Sequence, residues 1–309
     1  MRIAYLILAH DNPAQLGRLV GALSSATASF FIHIDRKSNL EDFAAIGGGR
    51  VHFTPQRVAV HWADFSQVEA ALVLLQAALA APQPADYLVL LSGTDHPLQS
   101  AAYIERFFAA HAGTEFMNIV AMPCEALGKP LSRLTTYQPR PGEPRSRLVK
   151  RVRRLLVRSG LQAVERDYRP HLDGLAPYAG SQWWALSRPA CEHVLHFVER
   201  QPGVVDFFRN TVCPDEVFFQ TVLGNSPYRL RMRRNLTYTD WSAGGSSPAF
   251  LEARHLELFT PGAPIVLDSG YGEGEVLFAR KFSDRAAALV ARLDALRGAA
   301  DSRLPRSGT

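Results

Sequence analysis

The chain has 309 residues, 47% of them apolar and 20% charged, with 34 Lys and Arg against 29 Asp and Glu. That balance is globular and fits one large or two small domains, which excludes a disordered or collagenous chain. No run reaches the ~18 apolar residues of a transmembrane helix, and a net charge of +5 suits anionic partners without implying nucleic acid.

The opening RIAYLILA (2–9) is a continuous apolar run, as expected of a strand buried on both faces. It runs into His10, Asp11 and Asn12 instead of a small-residue cleavage site, so it does not read as a signal peptide. Asn12-Pro13 opens a helix to about Leu23, with Leu16, Leu19, Val20 and Leu23 at 3/4 spacing. FFIHID (30–35) predicts a second strand, 64–80 a helix, DYLVLL (86–91) a third strand, 101–111 a helix and 115–120 a strand. This rhythm predicts a mostly parallel sheet with helices on both faces.

The rhythm breaks at 123–178, where Pro139, Pro141 and Pro144 mark a loop and seven of the fourteen residues 145–158 are Arg or Lys. Leu148, Val152, Leu155 and Leu156 share one helical face of that run, the composition of a helix lying on an anionic membrane. SQWWALS (181–187) resumes as a strand, helices follow at 188–200 and 214–223, two short strands fall within 228–241, and a last helix covers 284–297. The expectation is one α/β domain over 1–298, with 121–178 as a basic insertion and 299–309 as a frayed tail. Cys124, Cys191 and Cys213 form no CxxC pair, which fits a reducing compartment and no metal site.

Ligands of open α/β sheets bind beyond the carboxyl ends of the strands. That rule selects His10 and Asp11, then Asp35, then Thr94, Asp95 and His96. No GxGxxG follows the first strand and no P-loop occurs, which argues against dinucleotide oxidoreductases and P-loop NTPases. Asp35 either reads a ribose hydroxyl or base N–H, or is a turn residue paired with Arg36 or Lys37. Trp183 and Trp184 must face opposite sides of their strand, one into the core and one available to a sugar or base, with Gln182 supplying amide hydrogen bonds. Asp215 and Glu216 sit where a helix opens; they suit its positive end, and Glu216 also suits a general base. Arg280 and Lys281 repel each other and call for a partner such as a diphosphate. No Asp-x-Asp occurs, so cations of the protein are expected to replace a divalent metal.

The blocks AYLILAH (4–10), FFIHIDRKS (30–38), HWADFSQVEA (61–70), YLVLLSGTDHPL (87–98), GSQWWALS (180–187), PDEVFFQTVLGNSP (214–227), TDW (239–241) and LFARKF (277–282) occur in that order. Together they resemble the core-2/I-branching β-1,6-N-acetylglucosaminyltransferase and peptide O-xylosyltransferase family. The resemblance implies a GT-A-like fold, a UDP-sugar donor, inversion at the anomeric carbon and no divalent metal. It implies that Leu8 and Asp35 contact the uridine and that Val60, His61 and Trp62 lie near the nucleotide. Gln182 and Trp183 would face the donor sugar, although the family often has an acid or Gly at the first of these positions. Glu216 would be the base, Trp241 would shape the acceptor side, and Ser247, Arg280 and Lys281 would hold the diphosphate. The family's animal members carry a membrane anchor and disulfides that this sequence lacks. The expectation is therefore a cytoplasmic enzyme, peripheral at the inner membrane face, that transfers GlcNAc to a hydroxyl of a glycan, glycolipid or peptide. UDP-xylose is the alternative donor, and a decayed nucleotide-sugar or polyanion binding protein is the rival of another class.

Overall fold

The computed structural model describes residues 1–141, 165–245, 247–260 and 262–301, so the basic run 145–158 lies outside the described residues. The first strand, β1 (Ile3–Ala9), alternates strictly: Ala4 and Leu6 enter one apolar cluster, while Ile3, Tyr5, Ile7 and Ala9 enter another. Both faces are covered, which is why the run reads as continuously apolar.

Helix α1 (Pro13–Leu23) follows, and then β2 (Ala28–Ile34) and β3 (Val51–Phe53). Helix α2 (Ser66–Leu79) leads to β4 (Tyr87–Ser92) and a three-residue β5 (Asp95–Pro97). Next come α3 (Ala101–Ala110), β6 (Glu115–Ala121) and the one-turn α4 (Ser132–Thr135). Beyond 165 lie β7 (Tyr178–Ser187), α5 (Arg188–Arg200), α6 (Pro202–Phe208), α7 (Phe218–Gly224), β8 (Met232–Arg233) and β9 (Thr237–Thr239). The two-residue strands β10 (Val266–Leu267) and β11 (Gly274–Glu275) precede β12 (Phe278–Arg280) and α8 (Ala287–Asp301).

The main sheet has the order β3-β2-β1-β4-β7-β6-β8. Only β7 runs against the others, pairing antiparallel with both β4 and β6. The architecture is thus mixed α/β with a mostly parallel central sheet, the GT-A-like layout expected from the sequence. One apolar cluster joins the sheet to α2, α5, α6 and α7; a second joins it to α1 and α3. A third lies under α8 and a small sheet of order β5-β12-β9.

Gly180 shows how tightly β7 meets β6. A Cβ there would sit 1.7 Å from the Asn118 carbonyl oxygen, where the β6–β7 register shifts. Only a residue without a side chain permits that approach.

Several expectations need correcting. The 214–223 helix is two pieces: residues 214–216 form a 3₁₀ turn ahead of α7, so Glu216 is not in the first turn of an α-helix. Helix α6 lies between the two helices expected at 188–200 and 214–223 and is an addition to them, with Pro202 in its first turn. Asp95 and His96 are not loop residues at an open strand end; they belong to β5 and are fully buried.

Candidate active site

The carboxyl ends of β1, β2 and β4 open into a cleft of about 540 Å³. Because β7 runs the opposite way, its early residues, Ser181 to Trp183, reach this same edge. Leu8, Asp35, Val60, Trp62, Gln182, Trp183, Glu216, Trp241, Ser247, Arg280 and Lys281 all line the cleft, as the sequence suggested. His61 does not. Its neighbours Val60 and Trp62 face the cleft, whereas His61 lines a separate pocket with Arg36 and Arg57.

The Asp35 carboxylate is already occupied on the protein side. One oxygen accepts the backbone N–H groups of Lys37 at 2.9 Å and Val60 at 3.3 Å, and the other pairs with Lys37 Nζ at 3.2 Å. It therefore ties the 57–60 segment to the end of β2, besides facing the cleft. Beside it, His33 Nε2 accepts the Val58 N–H at 2.8 Å, so the ring is neutral with its proton on Nδ1; burial lowers its pKa to about 4.

The cationic wall comes from β12. Its register sets Arg280 opposite Asp95 of β5, and the guanidinium pairs with that carboxylate at 3.1 Å. The guanidinium also lies over the Trp183 ring, 4.2 Å from its centroid. Asp95 is completely buried; burial raises its pKa to about 6 against the opposing charge of Arg280. Lys281 donates to the Ser247 hydroxyl and stands 5.7 Å from the Phe250 ring centroid. Burial, followed by the charge of Arg280, lowers the Lys281 pKa. Each cation thus has a neighbour of its own, in place of the unpartnered pair the sequence suggested. Trp184 points the other way and packs on Phe219 in the core.

The acidic wall holds Asp215 and Glu216. Glu216 Oε2 accepts from Lys129 Nζ and Arg133 Nη1, both at 2.6 Å. Its Oε1 has no hydrogen bond among the described residues. Asp215 is buried, and that burial, with the charge of Glu216 second, raises its pKa to about 7. Trp62 and Trp241 stand exposed on the rim. Among the described residues no three His, Cys, Asp or Glu side chains gather as a metal site. The three cysteines are unpaired.

The Core-2/I-Branching enzyme family matches residues 3–260. The chain belongs to that family. It is 27% identical over 259 residues to xylosyltransferase 2 of Canis lupus familiaris, covering 78% of this chain and 27% of that protein. It is 25% identical over 250 residues to human xylosyltransferase 1, covering 78% and 24%. The chain thus spans about a quarter of the length of these curated relatives. Among solved structures, apo mouse xyloside xylosyltransferase 1 is 13% identical and covers 90% of this chain and 97% of its own, with a TM-score of 0.34. A score that low carries no argument.

In this Core-2/I-branching chain, the residues that sequence reasoning missed are Lys129, Arg133, Gln67 and His33. Lys129 and Arg133 fall in the region where periodicity is lost, 87 and 83 residues from Glu216. No spacing signal links them to it. Gln67 stands inside HWADFSQVEA (61–70), where one glutamine in a helix carries no chemical signature. No helix among the described residues is long and apolar enough to cross a membrane.

Proposed function

We infer that this chain transfers a sugar from a UDP-sugar to a hydroxyl of a glycan, glycolipid or peptide, with inversion and without a divalent metal. The observation that carries the reading is one cleft, at the strand ends of a Core-2/I-branching chain, with Arg280 and Lys281 on one wall and Glu216 on another. A base must remove the acceptor proton while a diphosphate departs from the other face of the sugar, and this division of charge suits both tasks.

In this reading Glu216 Oε1 takes the proton of the attacking hydroxyl. Lys129 and Arg133 hold the other oxygen, which fixes the carboxylate before the acceptor arrives. Charge growing on the UDP is met by Arg280 and Lys281, and a well-placed donor of this kind is worth roughly 3–4 kcal/mol. Metal independence is supported by where the nearby acids spend their charge. Asp95 is paired with Arg280, and Asp35 with Lys37 and two backbone N–H groups. UDP-GlcNAc and UDP-xylose are the two candidate donors, and the names of the curated relatives favour xylose. A decayed binding protein fits less well, because it has no need of a carboxylate kept ready by two cations.

The test is Glu216→Gln, which keeps shape but cannot accept the proton. Transfer is expected to fall ~10²–10⁴-fold while UDP affinity, measured by titration calorimetry, stays within about twofold because only the base is changed. Retention of more than a tenth of the activity would remove Glu216 from the mechanism.

A further inference from the structure

Gln67 lies in the first turn of α2 and reaches the cleft beside Gln182 and Asp215. A backbone contact fixes which way its amide is turned. The Ala63 backbone N–H points at it from 2.8 Å, and a backbone N–H can only donate. The atom it meets must therefore be the carbonyl Oε1. Ala63 is held in the left-handed region at φ 57°, so the turn that aims this N–H is itself a specified conformation.

The amide nitrogen of Gln67 then faces the opposite way. It donates to Gln182 Oε1 at 3.3 Å and to Asp215 Oδ2 at 3.4 Å, one hydrogen for each. Gln182 is fixed in turn: its atom that meets an N–H must be the oxygen, so its own NH₂ is turned away from Gln67. Among the described residues that NH₂ donates to nothing, and Gln182 lines the cleft next to Trp183. The strand beneath it is pinned by Gln220 Nε2 donating to the Ser181 carbonyl at 2.7 Å.

We propose that Gln67 is a positioning residue for donor specificity: it locks Gln182 so that the cleft presents an N–H donor, not an acceptor, to the transferred sugar. The proposal rests on the UDP-sugar reading given above. An N–H at this place serves any sugar oxygen with a free lone pair, including oxygens that cannot donate, such as an acetamido carbonyl or a uronate carboxylate. An acid at position 182 would serve only groups that can donate, such as hydroxyls or an acetamido N–H, and would repel a uronate carboxylate. The Gln67–Gln182 pair therefore widens the accepted donors toward acidic sugars.

The experiment measures dissociation constants for UDP, UDP-GlcNAc, UDP-glucuronate, UDP-glucose and UDP-xylose by titration calorimetry. The quantity read is the affinity gained over UDP when the sugar is present. Gln67→Met removes the lock with little change in size and is expected to cut the gain for the tightest donor ~10-fold, the scale of one hydrogen bond to a partner left unpaired. UDP itself should stay within about twofold, a split that general loosening of the fold would not produce. Gln182→Leu should cost the same, and the double variant no more than either alone, because the two residues act as one unit. Gln182→Glu keeps the contact from Gln67 but turns an oxygen into the cleft. It should weaken UDP-glucuronate at least ~10-fold more than UDP-xylose, and it serves as the test if Gln67→Met does not fold. An unchanged sugar gain in Gln67→Met, additive losses in the double variant, or equal losses for all donors in Gln182→Glu would each overturn the proposal. A wild-type chain that binds UDP but gains nothing from any sugar would overturn it too. A wild-type chain that binds neither UDP nor any UDP-sugar would instead overturn the functional reading on which it stands.

Discussion

Replacing Asp215 by Asn isolates the cost of one buried charge. Among the described residues, the Asp215 side chain has one oxygen without a hydrogen-bond partner and the other on a 3.4 Å bond from Gln67. Burial, and then the charge of Glu216, raises its pKa to about 7, whereas an unfolded Asp titrates near ~3.9. Between those two values the native chain keeps a proton that the unfolded chain has released. Stability from this group is therefore full below ~pH 4, falls as pH rises toward 7, and is flat beyond. Across pH 5 to 8 the active span is roughly two units at ~1.4 kcal/mol each, so the wild type loses up to ~3 kcal/mol from this source. Asn has no proton to lose. Urea melts of both proteins at pH 5 and pH 8 should give similar stability at the lower pH and a more stable Asp215→Asn variant at the higher one. The difference between the two proteins cancels the other titrating groups, Asp95 among them. Parallel pH dependence of the two proteins would refute the reasoning, because it would mean that Asp215 is already ionised and satisfied at pH 5.

Three further outcomes follow from the geometry. Activity should persist in EDTA, since the diphosphate is assigned to fixed side-chain cations; an enzyme that stops in EDTA and recovers with Mn²⁺ would refute this. Lys281→Ala should weaken UDP binding and slow turnover together, each by ~10-fold or more, and added Mn²⁺ should not restore it; separate calorimetry and rate measurements check the two effects. Gly180→Ala should lower the melting temperature steeply or prevent folding, because its Cβ would meet the Asn118 carbonyl oxygen at 1.7 Å, and a variant that melts like wild type would disprove the close approach.

Periodicity made most of the main sheet legible. Strand β1 and helix α2 sit within two residues of where the apolar patterns put them, because long elements buried on a face carry enough repeats to be read. Strands β3 and β5 were invisible: three residues are too few to show an alternation. The strand-end rule found one side of the cleft, where His10, Asp11, Asp35 and Thr94 stand, while Leu8 came from the family resemblance. The rule failed at Asp95, whose place is fixed by the antiparallel register of β5 against β12, a pairing of distant segments. Glu216 was found by its block, but its two cations were not, since only the folded chain brings 129, 133 and 216 together. His61 was lost to simple geometry, as it faces the opposite side from its neighbours Val60 and Trp62.

Arg280, Lys281 and Glu216 are held before any ligand arrives, and that bears on how the site works. Arg280 is fixed between Asp95 and Trp183, Lys281 leans on Ser247, and Glu216 is gripped by Lys129 and Arg133. Ordering a long side chain on binding costs ~0.5–1.5 kcal/mol, and here folding has already met that cost for each. The same arrangement explains why buried charge is tolerated. Asp95 is wholly buried, yet its charge has Arg280 as a counterion and the Ser92 N–H as a donor at 3.0 Å. The exception is Asp215, which among the described residues has no cation in direct contact and whose pKa burial pushes up to about 7, above the value of about 6 for Asp95. A preorganised site works on the charge that develops during reaction rather than on the charge already present. The partners that keep these groups in place, Asp95, Lys129 and Arg133, are therefore as much a part of the proposed machinery as Glu216 and Arg280 themselves.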